Sequence, residues 1–303
     1  MTGGGTFPAV ECACAELTGS APAETVRVRH GPKTAVYRVR LADGRPVMVK
    51  LFAADTAHGA ADEARLLAAV TAAGRVRVPV VIGHGPVPGL AVSALVTADA
   101  GTSTLGDAVR AGQLPRPAAL LRLALLMAAF HSAKAPPGVP LAPGIGQQVS
   151  ALASHCPKQV FVRLAPALEV IAAGACVERL VWCHGDLHLE NVIRGDDRRL
   201  TAGEHGRLRL PDYLVDFEAA TVEVPEYDLA QTLVTCDALE PSDRVLMAAA
   251  YGRPVDTRLL DAYVAFHAVR GWTYAAHQEG RDRDAWAARL HLVMPPQSGR
   301  TVL

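Results

Sequence analysis

Apolar and polar residues alternate along several segments in the first third of the chain. Three of these segments have the period of two that is typical of strands: residues 25–29, 35–41 and 46–52. The sequence Ala42-Asp43-Gly44 between the second and the third segment is typical of a hairpin turn. Two further apolar runs, at residues 78–85 and 90–96, are separated by Gly and Pro. The pattern predicts a five-stranded antiparallel sheet.

Helical spacing of apolar residues dominates elsewhere. Residues 9–17 predict a short helix that ends at Thr18-Gly19-Ser20, and residues 60–70 predict a helix after the third strand. Five more helices are predicted at residues 104–111, 116–133, 149–156, 160–176 and 257–276. An interruption is expected at Pro166, because proline removes a helical hydrogen bond. The chain therefore predicts an α+β protein, with a sheet-containing part at residues 1–97 and a mostly helical part at residues 98–303.

The composition excludes some classes of partner. Thirty basic and thirty acidic residues give a formal net charge of zero in 303 residues, and no basic stripe indicates nucleic-acid binding. No apolar run is long enough to span a bilayer, and the Gly-rich first residues do not resemble a signal peptide. We therefore expect a cytosolic protein that binds neither nucleic acid nor membrane. The six cysteines lack C-x-x-C spacing, which favours buried free thiols.

Residues 181–194, VWCHGDLHLENVIR, place a polar loop between two apolar segments. Asp186 and Asn191 lie in this loop, and Asp216 follows a short apolar run in the sequence LVDFE. A carboxylate that orients a hydroxyl, with hard oxygen ligands for Mg²⁺, is what phosphoryl transfer requires. The two motifs therefore indicate a phosphotransferase.

HGDLHLEN followed by VDFE resembles the catalytic loop and the metal-binding strand of the aminoglycoside phosphotransferase family. That family is the small-molecule branch of the protein-kinase-like fold and includes choline and fructosamine kinases. The resemblance implies that Asp186 is the catalytic base, that Asn191 and Asp216 hold Mg²⁺, and that ATP or GTP is the donor. It also implies that His184 and Asp228 support the loop.

Three further residues of the two motif regions are an aspartate, a histidine and a glutamate. An alternative for Asp228 is that it simply caps a helix. His188 either faces the substrate or caps the loop, and we favour the cap. Glu190 stands where the family often has Gly.

The resemblance also implies a nucleotide site. Lys50, at the end of the third strand, would contact phosphates and pair with Glu63 of the following helix, with Asp62 as the competing carboxylate. The first hairpin would cover the phosphates with backbone N–H groups near Gly31 and Thr34, although the segment also fits an ordinary hairpin. Position alone places adenine near the backbone of Leu95 and Ala98.

The acceptor site is predicted from one helix. The residues Tyr263, His267, Arg270, Tyr274 and His277 share one face of the helix at residues 257–276. Such a face is suited to a sugar or nucleoside wall, and equally to a surface stripe. Glu218 is a further candidate. Because Arg270 and two histidines disfavour a polycation, we expect a neutral or weakly charged acceptor, such as a nucleoside or peptide antibiotic.

Three functions follow from these observations. The first is a kinase that inactivates an antibiotic by phosphorylating a hydroxyl. The second is a metabolite kinase acting on choline, homoserine, methylthioribose or a sugar, although no aromatic cage for choline is evident. The third is a non-catalytic nucleotide-binding protein, which would have no use for Asp186.

Overall fold

The structure is a computed structural model that describes residues 7–30, 34–53, 59–135, 145–174, 177–195, 201–202, 208–277 and 282–294. The chain forms two compact units. The first is built from Met1–Ser103 and Ile193–Glu218. The second is built from Thr104–Ala135, Leu141–Val192 and Ala219–Leu303.

The first unit contains the predicted five-stranded antiparallel sheet, in the order β1-β2-β3-β5-β4. Its strands are β1 (Pro22–His30), β2 (Thr34–Leu41), β3 (Pro46–Ala53), β4 (Val81–Pro86) and β5 (Val92–Ala98). Helix α1 (Pro8–Thr18) precedes the sheet, and α2 (Ala60–Ala73) connects β3 to β4. The sequence pattern thus predicted every strand of this sheet and both helices.

Successive side chains of β3 lie in different surroundings on the two faces of the sheet. Val47 and Val49 are buried in an apolar cluster with Val10 and Ala13 of α1. Successive side chains of a strand point to opposite faces. Lys50 therefore lies on the face opposite to Val47 and Val49, where it contacts α2. The sheet and α2 thereby fix a lysine in partly buried surroundings.

The described residues between 193 and 218 belong to the first unit and include short strands. These are β8 (Thr201–Ala202), which pairs with β9 (Leu208–Arg209), and β10 (Tyr213–Leu214). Leu214 donates a hydrogen bond to the carbonyl of Arg77, whose guanidinium lies over the ring of Tyr213 at 4.3 Å. These contacts bring the segment that carries Asp216 next to the sheet.

The second unit is mostly helical. Its helices are α3 (Leu105–Arg110), α4 (Arg116–Phe130), α5 (Ile145–His155), α6 (Lys158–Gly174), α7 (Pro225–Thr235), α8 (Pro241–Tyr251), α9 (Thr257–His277) and α10 (Arg283–Val293). Helix α9 packs against α5, α6, α7 and α10. The antiparallel strands β6 (Val181–Cys183) and β11 (Thr221–Glu223) also belong to this unit. A 3₁₀ turn at Leu189–Asn191 leads into β7 (Val192–Ile193).

The expected interruption at Pro166 was wrong, because α6 continues through it. Proline deprives the carbonyl four residues earlier of its helical partner. That residue is Val162, which is 60% exposed, so water can bond its carbonyl. Proline is therefore tolerated on this face of α6.

Two other sequence expectations concern cysteines and membranes. The described cysteines are free thiols, with Cys14, Cys156 and Cys183 buried and Cys12 and Cys236 half-buried. Cys176 lies outside the described residues. Among the described helices, none combines the length and apolar character that a membrane span requires.

Candidate active site

The loop that carries Asp186 begins where β6 ends, and Gly185 determines its path. Its backbone is in the left-handed region with φ of +78°, which favours glycine. A Cβ atom there would lie 1.9 Å from the carbonyl oxygen of Ala219, just before β11. Only glycine therefore fits at this position without a backbone shift.

Asp228 holds the start of the loop from the first turn of α7. Its Oδ2 accepts a hydrogen bond from the backbone N–H of His184 at 2.7 Å, and its Oδ1 accepts one from Gly185 at 2.8 Å. The carboxylate is fully buried. Both oxygens thus bond the loop, whereas the N-cap of α7 is Val224 and has no side-chain capping bond, so Asp228 does not act as a helix cap.

His131, at the end of α4, extends this buried network. Its Nε2 lies 3.0 Å from Oδ2 of Asp228, and its Nδ1 lies 2.9 Å from the hydroxyl of Tyr251. His131 is the C-cap residue of α4. Its contact with Asp228 was not predicted, since the two residues are far apart in the sequence.

Cys183 lies in the same buried group as His131 and Asp228. Its thiol lies 3.7 Å from the carbonyl oxygens of Glu223 and Val224. Burial, together with the nearby carboxylates Asp228 and Glu223, raises the pKa of this thiol well above its usual value. The thiol, the imidazole and the carboxylate of this group are all engaged in hydrogen bonds within the fold.

Asp186 is held through both carboxylate oxygens. Oδ1 accepts a hydrogen bond from Nε2 of Gln231 at 3.0 Å, and Oδ2 accepts one from Nδ2 of Asn191 at 3.2 Å. Nδ2 of Asn191 also donates to the backbone carbonyl of Asp186 at 2.8 Å. The side chain of Asp186 remains 37% exposed. It is thus fixed in position and still open to a ligand.

Gln231 is a site residue that the sequence analysis missed. It lies three residues after Asp228 on α7, so the two side chains share one face of that helix. That spacing was the available signal. Asn191 directs its amide nitrogen at Asp186, which leaves its Oδ1 as the atom suited to a cation.

His188 acts on both the loop and Asp186. Its Nδ1 accepts a hydrogen bond from the backbone N–H of Glu190 at 3.2 Å, which is the favoured capping contact. Its Nε2 lies 3.6 Å from Oδ2 of Asp186. Burial would raise the pKa of the Asp186 carboxyl, but His188 first, then His184 and Arg270, lower that pKa well below its usual range. Asp186 is therefore ionised at neutral pH.

We expect the substitution His188→Asn to move the acid limb of the pH–rate profile to higher pH. Asparagine can keep the loop cap, but it removes the group that chiefly lowers the pKa of Asp186. Because the pKa of Asp186 in the folded protein lies below the unfolded value of about 3.9, the ionised carboxylate also adds to the free energy of unfolding above that pH. This contribution is lost as the pH falls through the folded pKa. Phosphoryl transfer between pH 4 and 8 measures the shift. The exposed His291→Asn is the control, and coincident profiles for all three proteins would contradict the expectation.

In the first unit, Lys50 lies among three carboxylates. Its Nζ is 2.7 Å from Oε2 of Glu63, 2.9 Å from Oδ1 of Asp216 and 3.5 Å from Oε2 of Glu218. The competing Asp62 instead accepts a hydrogen bond from the N–H of Gly59 at 3.4 Å, at the start of α2. The structure thus brings Lys50 together with Glu63 and not with Asp62.

This cluster carries more negative than positive charge. Burial would lower the pKa of Lys50, but Glu63, Asp216 and Glu218 raise it above its usual value, so the ammonium stays charged. Burial, with Asp216 and Glu218, raises the pKa of Glu63 against the effect of Lys50. One ammonium among three carboxylates leaves a net negative site of hard oxygens, which fits a divalent cation.

Asp216 also has an unusual backbone. Its φ is +68°, in the left-handed region, which aspartate tolerates better than most residues. Glu218, which the sequence analysis assigned to the acceptor, lies with Lys50 and Asp216. Its position in this structure is therefore on the cluster that fits a cation.

The remaining nucleotide-site predictions lie on the sheet. Thr34 begins β2 opposite Phe52, and buried Leu95 is paired with Lys50 across β3 and β5. The N–H of Ala98 donates to the carbonyl of Val80 at 2.8 Å, so an adenine contact there would require another backbone group. Gly31 lies outside the described residues.

The predicted acceptor face of α9 is divided between interior and surface. Tyr263 and His267 are 2% and 3% exposed, whereas Tyr274 is 48% exposed. Both buried rings pack against Tyr227 of α7, at centroid distances of 5.6 Å and 4.8 Å. Arg270 donates hydrogen bonds to Gln148 of α5 and to the hydroxyl of Tyr227. This face of α9 is therefore buried at Tyr263 and His267 and exposed at Tyr274, and Arg270 lies between the two parts.

The sheet unit, the helical unit and the side chains on each define a phosphotransferase of the protein-kinase-like class, with a small molecule as acceptor. The chain belongs to the phosphotransferase enzyme family, whose model matches residues 24–276. No protein of curated function matches the sequence.

Solved structures share this fold at low sequence identity. A choline/ethanolamine kinase family protein from Mesorhizobium loti is 17% identical, with a TM-score of 0.64, covering 94% of this chain and 92% of that one. The amicoumacin kinase hAmiN, solved with AMP-PNP, Ca²⁺ and amicoumacin, is 12% identical, with a TM-score of 0.65 and coverages of 92% and 91%. A Streptomyces rimosus aminoglycoside phosphotransferase, solved with ADP and streptomycin, is 20% identical, with a TM-score of 0.59 and coverages of 86% and 97%.

Proposed function

We propose that this phosphotransferase transfers the γ-phosphoryl group of ATP or GTP to a hydroxyl of an antibiotic, and that it requires Mg²⁺. The observation that carries the proposal is Asp186. Its carboxylate is ionised, held through both oxygens by Gln231 and Asn191, and partly exposed. A carboxylate fixed in this way is suited to orient an acceptor hydroxyl and to accept its proton.

The other polar side chains have roles that follow from their chemistry. Lys50 would bind phosphate oxygens, and Glu63 would hold the Lys50 ammonium in place. Asp216 and Asn191 would hold Mg²⁺, which supplies charge neutralisation for the phosphates when it is bound. Glu218 lies at the edge of the same cluster and is 45% exposed, so it would bind a water molecule or a ligand there. His184 and Asp228 would keep the loop in position.

An antibiotic acceptor is supported by two of the structural neighbours. One is described as an amicoumacin kinase, and another is an aminoglycoside phosphotransferase solved with streptomycin. The second candidate, a metabolite kinase, is favoured by the neighbour from the choline/ethanolamine kinase family. A purely non-catalytic role is disfavoured, because nucleotide binding alone does not require Gln231 and Asn191 to hold Asp186.

The experiment that tests the proposal is a transfer assay. Purified protein is incubated with Mg²⁺, ATP or GTP, and a panel of aminoglycoside, nucleoside and peptide antibiotics, with choline and homoserine as metabolites. Mass spectrometry then detects a phosphorylated product. An adduct on one antibiotic supports the proposal, an adduct on a metabolite supports the second candidate, and nucleotide binding without any adduct contradicts both.

We expect Asp216→Asn to weaken the apparent affinity for the metal–nucleotide complex about tenfold or more, because a charged oxygen ligand is lost. Asparagine also tolerates the left-handed backbone of this position, so the fold should persist. The control is Asp237→Asn, since Asp237 is the other described aspartate with positive φ and its side chain is 62% exposed. Titration of both variants with Mg²⁺ at a fixed nucleotide concentration gives the metal affinity of each. Equal metal affinities of the two variants would count against Asp216 as a ligand.

A further inference from the structure

Arg270 is held in a fixed orientation by two neighbouring helices. From α9, its Nη1 donates to Oε1 of Gln148 on α5 and, at 3.2 Å, to the hydroxyl of Tyr227 on α7. The Tyr227 hydroxyl in turn donates to Oε1 of Gln148 at 2.9 Å. Because these bonds form a closed triangle, the guanidinium plane is fixed without the help of any carboxylate.

Both of these hydrogen bonds use the same nitrogen of Arg270. A guanidinium has five N–H donors, and those on Nε and Nη2 lie along one edge. Within the described parts of the chain, no group accepts a hydrogen bond from Nε or Nη2. That edge matches the two oxygens of a carboxylate, which it binds with two parallel hydrogen bonds.

Arg270 also differs from three other arginines of this unit in its charge partners. Arg116, Arg179 and Arg244 form ion pairs with Asp243, Glu226 and Asp261. Among the described acidic residues, none forms an ion pair with Arg270. Its partner Tyr227 lies one helical turn before Gln231 on α7, and Gln231 bonds the carboxylate of Asp186. A cation with an unused donor edge is therefore held on the same face of α7 as the side chain that positions the proposed base.

The aromatic residues behind Arg270 do not add a second positive charge. His267 is 3% exposed, its ring packs 4.8 Å from that of Tyr227, and burial lowers its pKa well below the usual value. It is therefore neutral at pH 7. Tyr227 and Tyr263 complete this apolar packing. Arg270 thus supplies the positive charge of this cluster.

We propose that the Nε and Nη2 edge of Arg270 binds a carboxylate of the acceptor, so that the substrate is a hydroxylated carboxylic acid. The inference rests on the proposed function, because the hydroxyl of the same molecule would be presented to Asp186. Gln148 and Tyr227 act as positioning residues that fix the guanidinium. A polycationic acceptor is disfavoured by the same charge.

The test uses matched pairs of compounds that differ only in the charged group. Each hydroxylated carboxylic acid, drawn from sugar acids, hydroxy amino acids and acid-bearing nucleosides, is compared with its primary amide. The full-length protein with Mg²⁺ and nucleotide is assayed for binding by thermal shift and for transfer by mass spectrometry. A bidentate bond to a charged group predicts that the acid binds or reacts about tenfold or more better than its amide.

Variants of Arg270 assign the preference to this side chain. Arg270→Gln should abolish the preference for acids, and Arg270→Lys, which keeps the charge but not the planar edge, should reduce it. Arg258→Gln, an exposed arginine at the start of the same helix, should retain the preference. Melting temperatures of the variants without ligand show whether the fold is intact.

The possible results separate this inference from the proposed function. The inference is overturned if acids and amides bind and react equally. It is also overturned if the preference for acids survives in Arg270→Gln. A changed KM for nucleotide with an unchanged acid preference in Arg270→Gln also overturns it, since the edge would then serve the donor. If acids bind preferentially but neither they nor any antibiotic is phosphorylated, the proposed function fails while the carboxylate site stands.

Discussion

Replacing Asp186 with alanine is expected to lower the turnover number for phosphoryl transfer about 10³-fold while leaving nucleotide affinity unchanged. A positioned general base contributes about 10²–10⁴-fold, and Asp186 is the ionised, held carboxylate to which we assign this role. The donors on Gln231 and Asn191 that lose their acceptor can bond water, because the Asp186 side chain is 37% exposed. The fold should therefore survive the change.

Single-turnover kinetics and nucleotide titration measure the two quantities separately. Asp284→Ala is the matched control, since Asp284 is an exposed aspartate in the first turn of α10. Wild-type turnover in the Asp186 variant would remove the assignment of the base. A parallel loss of nucleotide affinity would indicate that Asp186 acts in donor binding as well.

Replacing Gly185 with alanine is expected to destabilise the second unit by more than about 3 kcal/mol and to abolish transfer. A left-handed backbone costs an L-residue about 1–2 kcal/mol, and the added Cβ would also lie 1.9 Å from the carbonyl oxygen of Ala219. Relief of that contact requires β6 or β11 to shift. Such a shift would also lengthen the hydrogen bond from Gly185 to Asp228.

Gly112→Ala separates the two contributions. Gly112 has φ of +67°, but no atom lies within 4 Å of the position that its Cβ would take. This control therefore loses only the backbone preference, about 1–2 kcal/mol, and should remain active. Thermal unfolding of both variants gives the comparison. Equal melting temperatures would show that the contact with Ala219 is relieved at no cost.

The sheet unit was predictable because its information is local. Each strand of residues 22–98 has its own alternation of apolar and polar residues, and the turn at residues 42–44 sets the pairing of β2 with β3. The pair Lys50 and Glu63 was also accessible, since a strand and the next helix bring them together. The choice of Glu63 over Asp62 depended on the resemblance, because both residues lie in the first helical turn.

The support of the active-site loop was less accessible. His131 reaches Asp228, and Tyr251 reaches His131, from helices that are distant in the sequence, and no periodicity indicates those contacts. Similarly, helical spacing placed Tyr263, His267, Arg270 and Tyr274 on one face but did not show which part is buried. Burial there depends on the packing of α5 and α7 against α9, which is a property of the tertiary structure.

The network of Asp228, His131 and Tyr251 has a consequence for how this protein changes over evolutionary time. The loop geometry is set by buried groups on α4, α7 and α8, whereas the Arg270 edge depends on side chains of α5, α7 and α9. On the proposed role of Arg270, substitutions on α5 and α9 would alter acceptor choice without disturbing the polar groups that hold Asp186. In a chain organised in this way, a change of substrate would need exchanges on different helices from those that hold the proposed base.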